Sequence, residues 1–195
     1  MKKTIKTVAM LLLGGLFACT NAQTVNPNPN VNGNPLAGQP ALQDATQTSS
    51  KKIKLAILLD TSGSMDGLIE QAKNQLWKIV NQLAKAKDAD GQDPEIEIAL
   101  YQYGNDGISA MDGYVQQIYG FTSELDEISE KLFALKTNGG SEYCGTVIKK
   151  SVKELNWSDS QEDLQLIFIA GNEEFAQGSV HYTAACNLAN NKNVI

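Results

Sequence analysis

The sequence predicts an α/β fold of three layers: an open, mostly parallel sheet flanked by helices. Two observations carry this expectation. The runs Ile53 to Leu59 and Leu164 to Ala170 are almost continuously apolar, which is how central parallel strands covered on both faces read. Between them, apolar residues recur at helical spacing, so strands alternate with segments long enough to cross back over a sheet.

The elements follow in order. After the first strand, Leu68 to Ala86 is amphipathic, with Leu68, Ala72, Leu76, Ile79, Val80 and Leu83 on one stripe. The polar stretch Lys87 to Pro94 breaks it. Glu95 to Tyr103 sets Ile96, Ile98 and Leu100 against Glu95, Glu97 and Ala99, a second strand. Tyr114 to Ile118 is expected as a short edge strand. Ser123 is expected to cap a helix through Leu135, with Leu125, Ile128, Leu132 and Phe133 on one face. A glycine-rich loop precedes a helix over Val147 to Leu155, and Val180 to Asn190 follows the strand Leu164 to Ala170 as another helix. Asn193-Val194-Ile195 reads as the opening of one more strand, so a domain continuing beyond residue 195 is expected. Trp77 and Trp157 are expected in or near the core.

The composition is that of an ordinary globular protein, 42% hydrophobic and 19% charged. Net charge is −6; the first eighteen residues hold Lys2, Lys3 and Lys6 and no acid, so the remainder carries −9. No basic stretch is interleaved with aromatics, which argues against nucleic acid as a partner. No phosphate-binding loop or dinucleotide fingerprint occurs, so no nucleotide is expected.

Residues 1–18 have a basic start and an apolar stretch from Val8 to Phe17, too short to span a membrane comfortably, and read as a secretory signal. Leu16-Phe17-Ala18-Cys19 resembles a bacterial lipobox, which implies a lipid-modified Cys19 and a protein anchored in the bacterial cell envelope, on its periplasmic face or at the surface. Residues 19–50 are rich in Asn, Pro, Gln, Thr and Ser and nearly free of charge; they read as a disordered tether with a root-mean-square reach of about 30 Å. Residues 51–195 are the globular part.

The chemistry lies where the first strand ends. Asp60-Thr61-Ser62-Gly63-Ser64-Met65 aims a carboxylate and two hydroxyls, Asp60, Ser62 and Ser64, at one point above the sheet. These are hard oxygen donors, suited to Mg²⁺, Mn²⁺ or Ca²⁺. Helix capping alone would explain one or two such residues but not the alternation straight after a buried strand.

A hydrophobic strand, Asp-x-Ser-x-Ser, Met and an amphipathic helix resemble the first element of the metal-ion-dependent adhesion site (MIDAS) of von Willebrand factor type A domains. The resemblance runs from about Lys52 to the last residue. It implies a second loop with a hydroxyl after paired glycines, and Ser141 in Thr137-Asn138-Gly139-Gly140-Ser141 matches it. It also implies an Asp directly after the fourth strand. Here the sequence departs: Ile169 runs into Ala170-Gly171-Asn172-Glu173-Glu174, with Gly171 where the Asp belongs. Asn172 or Glu173 is the candidate to supply that oxygen through water. The resemblance implies binding rather than turnover: a divalent cation, Mg²⁺ first, keeps one position open for an Asp or Glu carboxylate of a protein ligand.

Other readings stay open. A metal-independent scaffold of the same fold is compatible with Gly171. An envelope hydrolase would need an acid or base, with Glu142, Glu173 and Glu174 as candidates. His181 is the only histidine, so a Ser-His triad is excluded. Asp60-Thr61-Ser62-Gly63 lacks the second copy that an aspartic protease needs, and Asp88-Ala-Asp90-Gly91-Gln-Asp93 reads as a solvated turn, not a calcium loop. Cys144 and Cys186 are an even pair in an exported protein, and a disulfide between them would pin the second loop if their Cα atoms lie within about 7 Å. The anchor expectation is directly testable: Cys19→Ser should move the protein from the membrane to the soluble fraction, and a variant that stays with the membrane removes the lipidation reading.

Overall fold

The computed structural model describes residues 51–87 and 91–195. The signal segment, Cys19, the tether and Asp88 to Asp90 lie outside the described residues. Four strands form one sheet in the order β3-β2-β1-β4: β1 (Lys52–Asp60), β2 (Glu95–Tyr103), β3 (Val115–Thr122) and β4 (Leu164–Ala170). β1 lies in the middle, parallel to both β2 and β4, and β3 runs antiparallel along β2 as an edge. Four helices complete the unit: α1 (Ile69–Leu83), α2 (Leu125–Ala134), α3 (Cys144–Glu154) and α4 (Tyr182–Asn190).

The strand period of two sorts the core into two layers. Ile53, Leu55, Ile57 and Leu59 of β1, with Ile96, Ile98 and Leu100 of β2, face Leu76 and Val80 of α1 and Ile128 and Leu132 of α2. Ala56 and Leu58, with Ala99, Tyr101 and Tyr103, face Val147, Ile148 and Val152 of α3 and Ala185 and Ala189 of α4. β1 is buried along almost its whole length, which is why its sequence does not alternate. Trp157 packs in the second layer, edge-on to Phe121. Trp77 packs partly buried against the first. Ile195 lies alongside β4 in parallel register, donating to Gln165 O (2.9 Å) and accepting from Ile167 N (2.8 Å), as expected of a strand opening there.

Several boundaries differ from the sequence expectation for local reasons. Ser123 does not cap α2; the preceding Thr122 hydroxyl takes the Glu124 N–H (3.1 Å), and the helix starts at Leu125. β3 runs on to Thr122 because its pairing with β2 continues past Ile118 through an irregularity in register. The Gly-rich loop ends early, so α3 begins at Cys144 rather than Val147. α4 begins after His181, whose ring accepts from Thr183 N (3.4 Å).

The apolar stripe of α1 also contains a surprise. Leu68 is largely exposed, and Lys73 occupies a core position at 1% exposure. Its ammonium donates to Leu135 O (2.6 Å) and Phe133 O (3.2 Å), the unsatisfied carbonyls at the carboxyl end of α2, and pairs with Glu70 (2.8 Å). A buried charge is tolerated where donors and acceptors match in this way. Lys73→Ala leaves both carbonyls without that donor and should lower stability by about 2–4 kcal/mol, read as a drop in urea midpoint at unchanged slope; a change below about 0.5 kcal/mol would show that the strut carries no weight.

Candidate metal centre

The centre is built at the carboxyl ends of the parallel strands, where ligands of open α/β sheets bind. Register places the residues. Asp60 is the last residue of β1 and pairs with Tyr103, the last residue of β2; Gly171 follows Ala170, the partner of Leu59. Tyr103, Asp60 and Gly171 therefore stand in a row across three strands. The Tyr103 phenol is buried against Asp60 and Cys144.

Asp60 is fully buried. Its Oδ1 accepts from Ser62 N (2.8 Å), and the Ser62 and Ser64 hydroxyls meet at 2.9 Å. Asp60, Ser62 and Ser64, the three residues singled out in the first loop, thus lie together. Oδ2 of Asp60 is the one buried side-chain oxygen or nitrogen among the described residues with no hydrogen-bond partner. Burial raises the Asp60 carboxyl above its ordinary range; hydrogen bonding from Ser62 opposes this, and repulsion from Glu142 and Glu173 adds to it.

The second loop is docked on the first. Asn138 N donates to Thr61 O (3.0 Å), and Gly63 lies against Gly139 so closely that a side chain there would touch it at 3.4 Å. Asn105 on the loop after β2 joins both, donating to Lys136 O (3.1 Å) and Thr61 O (3.4 Å). Ser141 lies half-buried at the end of this loop. Its neighbour Glu142 is buried at 8% exposure. Asp60 Oδ1, Glu142 Cγ and Ser62 Cβ all lie within 3.3 Å of the point where a Gly104 side chain would begin. Gly104, at φ +75°, is thus the floor on which the carboxylates converge.

The third loop explains the missing Asp. A Cβ on Gly171 would lie 2.6 Å from the Tyr103 hydroxyl and 3.0 Å from both Cβ and Oδ2 of Asp60. The position has room only for glycine because the Tyr103 hydroxyl reaches it from β2, across β1. Asn172 is the third-loop residue that enters: Ser64 Oγ donates to its Oδ1 (2.9 Å) and its Nδ2 donates to Ser64 O (3.0 Å). Glu173 and Glu174 are exposed.

The expected disulfide is corrected. Cys144 and Cys186 are not bridged. The Cys144 thiol turns inward toward the Tyr103 hydroxyl (3.7 Å), and burial pushes it up to about 11, while Cys186 lies half-buried on α4. Sequence reasoning missed Tyr103, Thr61, Asn105 and Asn138 as builders of the centre. The polar Asn105 and Asn138 beside glycines were the only local signal for two of them.

With this geometry the comparisons can be placed. The chain belongs to the von Willebrand factor type A domain family, which matches residues 54–194. Among solved structures, proximal thread matrix protein 1 from the mussel byssus is similar with a TM-score of 0.56 at 12% identity, over 75% of this chain and 35% of that one. A further structure of the mussel protein, with a zinc-occupied MIDAS motif, gives a TM-score of 0.53 at 15% identity over the same shares. The pilus adhesin SpaC from Lactobacillus rhamnosus GG, in its open conformation, gives 0.46 at 14% identity over 63% of this chain and 15% of that one. At such identities the likeness shows the fold alone, and this chain spans about a third of the mussel protein's length and less of the adhesin's. A search of the curated proteins finds no match.

The Tyr103–Gly171 fit is testable by itself. Gly171→Ala should destabilise by about 1–3 kcal/mol through overpacking, and adding Tyr103→Phe should recover part of it. Urea denaturation of the two single variants and the pair checks this; strict additivity would show that the two positions do not share the space.

Proposed function

We propose that the domain is a metal-dependent protein-binding module, tethered to the bacterial cell envelope through Cys19, that takes a ligand's Asp or Glu carboxylate on a bound divalent cation. The observation that carries this reading is the buried Asp60 Oδ2 with no partner, beside two hydroxyls of the same loop. A buried ionised oxygen is tolerated when a cation resolves it. Asp60, Ser62 and Ser64 would hold the ion, with Ser141 from the second loop and Asn172 from the third as further oxygen donors. The cation supplies an electrophilic position that an outside carboxylate can occupy. Hard donors favour Mg²⁺ over softer ions, although the mussel protein of the same fold carries zinc at its MIDAS motif.

No turnover is proposed. The loops are joined by main-chain bonds, and Ser64 and Asn172 are tied to one another at the rim. A second reading, a scaffold that binds without metal, is favoured by one observation: Gly171 puts no carboxylate at the position directly after β4, beside Asp60.

Thermal unfolding of the full-length chain in Mg²⁺, Mn²⁺, Ca²⁺, Zn²⁺ and EDTA, with Asp60→Ala as control, separates the two. An ion at a hundred times its dissociation constant adds about 2.7 kcal/mol to the folded state, several degrees in midpoint. The expected result is a rise with at least one ion that Asp60→Ala abolishes. No shift with any ion sinks the metal-dependent reading and leaves the scaffold.

A further inference from the structure

Two acidic residues, Asp60 and Glu142, lie at the head of β1, the first with an oxygen shut away from solvent and the second with its carboxylate at the edge of the same space. Resting on the metal-dependent reading above, we propose that Glu142 is the second negative charge of the cation site, standing in for the third-loop carboxylate that Gly171 and Tyr103 exclude.

Three observations converge. Glu142 is more than nine-tenths buried as a residue, although it follows a glycine pair in a surface loop, while its carboxylate oxygens, unlike Asp60 Oδ2, keep access to solvent and so to an entering cation. Its Cγ lies against the same point above Gly104 that Asp60 Oδ1 and Ser62 Cβ approach, which sets the side chain beside the centre. The loop that carries it is fixed to the Asp60 loop through Asn138 N and Thr61 O (3.0 Å), which holds this arrangement in place. Two carboxylates facing one space repel, and without a cation Glu142 adds to the burial that holds the Asp60 carboxyl above its ordinary range. A divalent ion between them reverses the sign of that interaction.

Charge count supports the same assignment. Asp60 and Glu142 together balance a divalent ion. Ser62, Ser64, Ser141 and Asn172 add only neutral oxygens. Glu173 is the other carboxylate near enough to repel Asp60, but it is exposed, and water screens it. Tyr103 closes the alternative route, since its hydroxyl lies 2.6 Å from where a side chain at Gly171 would begin. The negative charge thus moves from the third loop to the second.

The test is calorimetric titration of metal-free, full-length protein with Mn²⁺ and Mg²⁺, for the wild type, Glu142→Gln and Glu173→Gln, together with melting of each in EDTA. Glu142→Gln should weaken binding about 10- to 100-fold, Glu173→Gln by less than about twofold, and Glu142→Gln should melt in EDTA at or above the wild-type midpoint because repulsion at Asp60 is relieved. Binding by Glu142→Gln within twofold of wild type overturns the assignment while leaving the metal reading intact. A Glu142→Gln variant that melts well below wild type in EDTA, or fails to fold, also overturns it, because the carboxylate would then be holding the loop. A wild type that binds neither ion overturns the metal reading and this inference with it.

Discussion

The arrangement at the head of the sheet follows from the burial of one carboxylate. Asp60 ends a strand that is covered on both faces, so its charge leaves water without leaving the fold. One oxygen is satisfied within its own loop by Ser62 N, and the other is not satisfied by the described protein at all. Desolvation penalises the ionised form, which is why the group is shifted upward. The surrounding residues hold this unfavourable placement in position rather than relieve it. Tyr103 packs against it from β2, Gly171 just past the end of β4 puts no side chain in the way, and Gly104 and Gly140 let the two neighbouring loops approach closely.

Such a placement requires rigidity around it, and the loops provide that through main-chain bonds. Thr61 is the junction: its N–H donates to Tyr103 O (2.9 Å), and its carbonyl receives Asn138 N and the Asn105 amide. Backbone groups used in this way fix the positions of Ser62 and Ser141 without relying on long side chains. A site with its polar groups already in position does not have to order them at the moment of binding, and that is the main route by which preorganisation raises affinity.

The elements whose character depends on local pattern were readable from the chain. The apolar run of β1 and the Ile128 and Leu132 positions of α2 specify themselves, because burial imposes a period on the residues. By contrast, β4, expected to be covered on both faces, ends the four-stranded sheet and is mostly half-buried, and Phe133, expected on the inner face of α2, is exposed. The Asp60-Ser62-Ser64 loop was readable too, since alternating short polar side chains after a buried strand have few other uses. Lys73 and Glu142 were not. A lysine in a helix and a glutamate in a glycine-rich loop read as solvated by default, and only partners distant in sequence, the α2 carbonyls and the Asp60 loop, give them reasons to be inside.

By itself, then, the sequence determined the order of strands and helices along the chain, most of the inward residues of α1 and α2, and the loop that presents hydroxyls and a carboxylate together. It also showed that the residue after β4 is Gly171 and not an acid. Only the tertiary structure decided why. Strand register aligns Tyr103, Asp60 and Gly171 across β2, β1 and β4, and a phenol large enough to span that distance leaves no volume for a side chain on the far strand. Register is a relation between segments about forty residues apart for β1 and β2 and about one hundred and ten apart for β1 and β4, set by cooperative packing of the whole sheet, and no local stretch of residues encodes it.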